Sequence, residues 1–491
     1  MGKEISWFGI DFGTTNSAVS SMTGASKANC VQINHGDDLG RPFPSIAAIH
    51  KKTGEVITGR DAKERRNELS TEYEYFSSIK TIIASKEKYE VGGKTWTPVD
   101  IAAEIFKGLK ANIEKRAHEC KEAIVAVPIG FSPKKKANIR KAAKLAGIDV
   151  KMFVSEPTAA FCSNYVQLKM FKNVAVFDWG GGTLDVAILK VENGKVFEIA
   201  TEGMTMAGDD IDRKIAEKMH IKFCKNKGVS IPFEEMDSIA KDQLIMKSEL
   251  AKIQLSDGED LARVAVLKYG ELGVARDTID YDYFSLLVEP EVNAALACLE
   301  KAIKKANLNE TNLDCILCVG GSSKLRPFKE KLIDKYGQEL VYYPDMVMWD
   351  IAKGASIINV TDGGYGLNQD LGVIMSNGEF YPMIQKGQLL PCKEKRLNFA
   401  IVNDEKVAKF IVTDNENPEQ RTFEQFISID RKGQGFMSEQ FEVSCFIDPD
   451  LLFRFRVRSS EFMHQYLYLW TYDGLKVYYQ LEGKKNGRGK K

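Results

Sequence analysis

The stretch Val176-Phe177-Asp178-Trp179-Gly180-Gly181-Gly182-Thr183-Leu184-Asp185-Val186 decides the fold. An apolar run ends on an aspartate, turns through glycines and a threonine, and resumes as an apolar run. That pattern reads as a strand, a tight turn and a returning strand, with little bulk at the tip. Successive backbone N–H groups in such a turn form a cradle for phosphate oxygens. A carboxylate at its mouth would repel phosphate unless a cation stood between them, so the device implies a hard metal ion with its waters. A second copy lies upstream as Gly9-Ile10-Asp11-Phe12-Gly13-Thr14-Thr15-Asn16-Ser17. One glycine turn is a weak signal. Two are a strong one, because each puts an aspartate where a packed strand would take valine. Facing each other across a cleft, two cradles would clamp a polyphosphate, which points to ATP.

Outward from these turns, strand and helix patterns alternate up to about residue 360. Val99, Ala102, Ala103, Phe106, Leu109 and Ile113 share one helical face, and Thr97-Pro98-Val99-Asp100 supplies its start. A strand over 123–127 stops at Pro128. Ser132-Pro133 opens a basic helix to Lys144, closed by Gly147, and a strand over 150–154 leads to Glu156 at the mouth of the next helix. This order predicts a parallel-type sheet with helices on its faces. After the second cradle, a glycine- and acid-rich turn over 203–212 enters a helix. Further helices are expected over 237–253 and 292–306. A buried strand over 315–319 ends in Gly320-Gly321-Ser322-Ser323, a third glycine turn, before a helix over 327–336.

Near Thr361-Asp362-Gly363-Gly364 helical periodicity fades. Phe441, Val443, Cys445 and Ile447 alternate with polar residues, Asp448-Pro449-Asp450 turns, and Phe453, Phe455 and Val457 alternate with Arg454, Arg456 and Arg458. That is a half-buried hairpin. A second hairpin is expected around Tyr472-Asp473-Gly474-Leu475, whose Asp-Gly suits a type I′ turn. It would place Tyr466, Tyr468, Trp470 and Tyr472 on one face, more as core than as a binding surface.

Composition narrows the function classes. The 491 residues suit about three domain-sized units. Lys plus Arg equals Asp plus Glu at 68 each, so the balance names neither nucleic acid nor a charged membrane as partner. The apolar run over 123–131 is too short to span a bilayer, and no apolar signal region opens the chain. Nine scattered cysteines suit a reducing, cytoplasmic setting, and Cys315 with Cys318 read as core packing rather than metal or redox chemistry. The basic, glycine-rich 483–491 is expected to be a disordered tail.

The ordered set of the two cradles, Val127-Pro128, Glu156-Pro157-Thr158-Ala159-Ala160 and Val319-Gly320-Gly321-Ser322 resembles the seventy-kilodalton heat-shock chaperones, which belong to the actin-like ATPases. The resemblance implies an α/β fold: a duplicated actin-like (ribonuclease H-like) ATPase domain of two lobes over 1–361, then a linker over 362–369. An all-β sandwich that binds substrate would follow over 370–482. It implies that Asp11, Asp178 and Asp185 hold Mg2+ and potassium through waters and phosphate oxygens. Gly13, Thr14, Thr15, Asn16, Gly180, Gly181, Gly182 and Thr183 would cradle the phosphates, and Gly208 would belong to the nucleotide site. Lys80 would stand beside the γ-phosphate and Glu156 near the metal and the attacking water. Glu249, Lys252 and Ser256 would contact the adenosine, with Gly320, Gly321, Ser322 and Lys324 against base and ribose, and Pro128 would relay the nucleotide state.

Departures from the family pattern are equally definite. Ile253 stands where the family stacks an arginine on adenine, and Lys324 replaces another arginine. An aspartate expected before Gly354-Ala355, read as a strand end, is displaced to Asp345. Tyr365-Gly366-Leu367-Asn368-Gln369-Asp370 replaces a leucine-rich linker, and the expectation is a sandwich without a helical lid. The resulting expectation is a chaperone-like ATPase hydrolysing ATP to ADP and coupling nucleotide state to unfolded or extended polypeptide, with a J-domain co-chaperone and a nucleotide-exchange factor as partners. Two readings stay open beside it: a nucleotide-gated protein serving one dedicated partner, and a sugar kinase on the same fold.

Overall fold

The computed structural model describes residues 6–23, 30–32, 42–115, 119–345, 347–360, 365–400, 407–414, 423–428, 440–459 and 468–481. The chain forms two compact units. The first comprises 1–150, 154–191 and 199–360; the second comprises 151–153, 192–198 and 361–491.

In the first unit both glycine turns are hairpins. Strands β1 (Ser6–Asp11) and β2 (Asn16–Thr23) pair antiparallel with Asp11 opposite Ala18. Further on, β6 (Asn173–Trp179) and β7 (Leu184–Glu192) pair with Asp178 opposite Asp185. Around each hairpin the sheet has the same order. The first runs β5 (Asp149–Ser155), β4 (Glu122–Val127), β1, β2, β3 (Cys30–Gln32). The second contains β10 (Val341–Tyr342), β9 (Cys315–Val319), β6, β7, β8 (Lys195–Met204) in that sequence. In each case the neighbour of the first hairpin strand is parallel to it, and helical segments intervene in the chain. Parallel strands covered on both faces read as unbroken apolar runs, and Ala123 to Val127 are all buried.

The helices begin where the sequence signals them. Thr97 and Asp100 close a capping box on helix Pro98–Glu114; Ser132 caps Pro133–Leu145; Ser155 caps Glu156–Ser163 by accepting the Thr158 N–H. Each such cap contributes roughly 1 kcal/mol. Helix Asp350–Val360 lies on β1 and on helix Glu156–Ser163 at contact distance. A Cβ at Gly9 would overlap the backbone of Ala352 and Ser356, and one at Gly354 would overlap that of Ala159.

Several expectations are corrected. Gly354 and Ala355 are inside that helix, not at a strand end. The helix predicted from residue 292 starts eleven residues earlier, as Tyr281–Lys305, with Pro290 inside it. Asp280 caps it by accepting the Tyr283 N–H at 2.8 Å. Pro290 has no N–H to give the Leu286 carbonyl one turn earlier, and Leu286 is 71% exposed. The hairpin predicted around Asp473-Gly474 does not form. A type I′ turn needs positive φ at both central residues, and neither Asp473 nor Gly474 has it. Tyr468–Tyr472 pairs with Phe453–Ser459, whereas Val477–Gln480 joins a different sheet.

The second unit holds two four-stranded sheets. One orders Phe380–Ile384, Leu371–Ile374, Val407–Asp414, Phe423–Ser428; the other orders Cys392–Ala400, Gln440–Ile447, Phe453–Ser459, Tyr468–Tyr472. The expected hairpin through Asp448-Pro449-Asp450 is present, with Ile447 opposite Phe453. Aromatic rings join the two sheets: Phe410 meets Phe441 at 5.8 Å and Phe455 at 6.1 Å, edge to face. Tyr468, Trp470 and Tyr472 are half-buried rather than core, and Tyr466 lies outside the described residues. Tyr365–Leu367, expected in a linker, is a buried strand paired with Val477–Gln480 and Leu389–Leu390. Val477–Gln480 pairs also with Lys195, Val196 and Phe197. Residues 361–364 and the basic tail lie outside the described residues.

Candidate functional site

The two hairpin tips meet. A Cβ at Gly182 would stand 2.9 Å from Thr14 Oγ1, and one at Gly181 would stand 2.5 Å from Thr15 Oγ1 and 2.8 Å from an Asp209 carboxylate oxygen. The threonines of the first tip therefore occupy the room that the glycines of the second leave. Asp11, Gly13, Thr14, Thr15, Asn16, Lys80, Glu156, Asp178, Gly180, Gly181, Gly182, Thr183, Gly320 and Gly321 line one cavity, walled further by Ala18, Pro42, Val347, Met348 and Ile351.

The second tip is held from behind. The Gly180 carbonyl accepts the Gly208 N–H at 3.1 Å and the Ser322 hydroxyl at 2.8 Å, and the Gly181 carbonyl accepts the Asp209 N–H at 2.8 Å. A trans peptide sends its C=O and the following N–H to opposite sides. The N–H groups of Gly181 and Gly182 therefore point away from helix Gly208–Lys227 and Ser322, as a phosphate cradle requires. At the first tip the Thr15 carbonyl accepts the Ser45 N–H at 2.9 Å, which orients the Asn16 N–H in the same manner.

Lys80 and Glu156 face the cavity as a buried pair, with Nζ donating to Oε1 at 2.6 Å. Glu156 opens its helix, and Lys80 sits on the short helix Ile79–Ile82 entered through Ser78 at φ 55°. A serine in that left-handed region stores strain of the kind found at functional positions. Burial pulls the Lys80 ammonium down, but Glu156 and Asp11 outweigh it and leave it raised.

The acids are crowded. Burial, and then Glu156, push Asp11 and Asp185 up to about 7 from 3.8, with Lys80 opposing. Asp178 is likewise raised, by burial and then by Glu156, Asp185 and Asp11, with Lys80 opposing. Asp185 accepts the Ile129 N–H at 3.1 Å and a bond from Thr183, while its Oδ2 is buried without a protein partner. Ile129 directly follows Pro128, so the proline segment touches the acid cluster through that N–H. Four carboxyls against one ammonium form a set of hard oxygen donors short of positive charge, which fits Mg2+. Among the described residues no three acids, histidines or cysteines converge to cage an ion by themselves.

Of the residues expected around the adenosine, Gly320 and Gly321 line that cavity, whereas Glu249, Lys252, Ser256, Ser322 and Lys324 do not. Lys252 Nζ is buried, donates to Asp212 at 2.9 Å and to the Gly208 carbonyl at 3.2 Å, and so ties the start of helix Gly208–Lys227 to helix Ser238–Ser256. The Ser256 hydroxyl donates to the Lys252 carbonyl at 2.8 Å. Glu249 is half-buried on the same helix, and Lys324 is exposed on the 3-10 turn Gly321–Lys324. Gly208 has no room for a side chain between Ser322 and the Gly180 carbonyl.

Asp209 and Asp212 escaped the sequence reading. Both stand in the acid-rich turn over 203–212, which was legible as a turn but gave no sign of which acids face inward. Asp209 accepts the Thr15 hydroxyl at 3.3 Å, joining the two tips by a side chain. Burial raises Asp212 to about 7, with Lys252 holding it down.

Compared with models of known families, the chain matches the one described as Hsp70 protein over residues 79–408, more than half of its length. The match begins just before Lys80 and takes in Glu156, the second hairpin, the third glycine turn and part of the second unit. Members of that family are chaperone-type ATPases that use ATP and ADP with Mg2+, and the mixed α/β architecture fits an actin-like ATPase. The chain belongs to the Hsp70 family.

Proposed function

We propose that the first unit hydrolyses ATP to ADP and phosphate, and that the second binds extended polypeptide under control of the nucleotide. The contact of the two glycine tips beside the Lys80–Glu156 pair carries this reading. The repeated strand order supports a duplicated two-lobed ATPase, and the ring contacts between two four-stranded sheets support a substrate-binding sandwich. Transfer of a phosphoryl group to water needs little covalent help; positioning and positive charge supply most of the rate. Gly181, Gly182 and Asn16 would donate N–H bonds to phosphate oxygens. Lys80 would stabilise charge on the transferring group. With Oε1 taken by Lys80, Glu156 Oε2 is the acceptor that would orient the attacking water. Asp11, Asp178 and Asp185 would hold Mg2+, and potassium beside it, through waters. When bound, Mg2+ neutralises phosphate charge and orients the oxygens.

No helix among the described residues is long and apolar enough to cross a membrane. A cytoplasmic setting, and partnership with J-domain and nucleotide-exchange proteins, belong to the same proposal. Steady-state turnover tests its core. Slow Mg2+-dependent hydrolysis is expected, falling by about a hundredfold or more in Lys80→Ala and Asp11→Asn, the loss typical when a stabilising group is removed. Wild-type rates in both variants would sink the assignment. Generic apolar peptides should accelerate turnover. If they do not, and one specific protein does, the dedicated-partner reading replaces the chaperone one.

A further inference from the structure

The third glycine turn divides into a face that could meet a ligand and a face that meets the second hairpin. Gly321 has open space where a Cβ would stand, and it lines the cavity. Gly320 also lines the cavity but leaves no such space. Its φ is +79°, and a Cβ there would collide with the Trp179 carbonyl and come within 2.6 Å of Asp178 Oδ1. Ser322 also turns toward the hairpin. It is only 5% exposed, and its hydroxyl proton is given to the Gly180 carbonyl at 2.8 Å. Gly208 approaches from the far side and donates its N–H to that same carbonyl at 3.1 Å, with no room for a side chain next to Ser322. Gly180 C=O is thereby fixed by two donors from two separate elements, and the Gly181 N–H is aimed by that fixation.

We infer that Ser322 is a positioning residue of the second phosphate cradle, acting through the Gly180 carbonyl. The inference rests on the ATP reading and sharpens it. The hydroxyl has one proton to donate and gives it to Gly180, so that toward a ligand it could act only as an acceptor. Removing it leaves the carbonyl with Gly208 alone and lets the peptide rock, which loosens the N–H that faces phosphate. A base or ribose gains nothing from that N–H.

Two ligands separate these roles, because adenosine carries base and ribose without phosphate. Calorimetric titration of the full chain with adenosine and with Mg2+–ADP, for wild type and Ser322→Ala, reads both. The expected result is an unchanged adenosine affinity and a Mg2+–ADP affinity weakened about fivefold, the equivalent of one net hydrogen bond. Unchanged adenosine binding also certifies that the variant is folded. Equal losses for the two ligands would make Ser322 a base or ribose contact and overturn the inference. An unchanged Mg2+–ADP affinity would overturn it as well, while leaving the ATP reading intact. Absence of Mg2+–ADP binding by folded wild type would remove that reading, and this inference with it.

Discussion

The two hairpins share a sequence device and differ in what holds them. The first is built largely from its own turn and neighbouring strands: a Cβ at Gly13 would strike the Asn16 carbonyl, and one backbone strut, Ser45 N–H to Thr15 C=O, steadies the tip. The second is set by other elements. Helix Gly208–Lys227 and the Gly320–Ser322 turn place three donors on the Gly180 and Gly181 carbonyls, and Thr14, Thr15 and Asp209 crowd its glycines. The same motif can thus be glycine-rich for two physical reasons, local turn geometry in one copy and long-range approach in the other.

Charge should not distinguish the copies. Asp11 of the first and Asp185 of the second are both raised to about 7, by burial and then by Glu156. Folded chains therefore hold protons that unfolded chains release near 3.8, so stability is greatest in mild acid. It should fall as pH rises between about 4 and 7, with a slope of up to roughly 1.4 kcal/mol per pH unit per group. Thermal melts of the ligand-free protein across that window should show the decline, and Mg2+–ADP should flatten it. A ligand-free melting temperature that climbs from pH 4 to 7 would contradict the crowded-acid description.

Bracing should distinguish them. Asp212 lies one turn into the helix that pins the second tip, and it neutralises Lys252. Asp212→Ala leaves a buried ammonium unpaired, a loss of about 3–5 kcal/mol in comparable cases. Denaturant unfolding should register it, and nucleotide affinity should fall too, because Lys252 also bonds the Gly208 carbonyl. Asp212→Ala with wild-type stability would mean that the helix needs no such anchor.

The contrast also explains what the sequence could and could not disclose. Both hairpins, Glu156 at its helix mouth and the strand Cys315–Val319 were legible because each depends on neighbours in the chain: a cap, a turn residue, an apolar run. Asp209 and Asp212 were not, because their roles depend on Thr15 and Lys252, which are distant in sequence. The resemblance puts Ser322 near base and ribose, whereas its bond to Gly180 arises only where the folded chain brings the two turns together. The Asp473-Gly474 hairpin failed for a related reason. Local turn chemistry was adequate, but Val477–Gln480 had a better partner in Tyr365–Leu367, more than a hundred residues away.

A smaller effect isolates the contact between tips. Gly182→Ala introduces a methyl 2.9 Å from Thr14 Oγ1 and 3.0 Å from its Cγ2, at a backbone angle that any residue adopts. Overpacking of that sort costs about 1–3 kcal/mol. The comparison predicts that Thr14→Ala, which deletes both atoms, relieves part of the loss in the double variant. A double-mutant cycle on stability measures this directly. Simple addition of the two single effects would mean that the tips do not touch, and the cavity between them would have to be redrawn.

The smallest effect is the most discriminating. Thr15 bonds Asp209 at 3.3 Å, a long and partly buried hydrogen bond worth about 1 kcal/mol or less. Thr15→Val keeps the shape and deletes the hydroxyl. If the first tip is steadied by its Ser45 strut, the variant should keep wild-type stability within about 0.5 kcal/mol, as substitutions outside strongly coupled sites do. The second tip should respond instead: the Asp209 carboxylate loses its one bond to the first tip and is left to repel phosphate at Gly181. Mg2+–ADP affinity should weaken by a few-fold, and Asp209→Asn, which removes the negative charge, should restore it in the Thr15→Val background. Failure of Asp209→Asn to restore affinity would show that the Thr15 hydroxyl itself, and not the charge behind it, is what the phosphate feels.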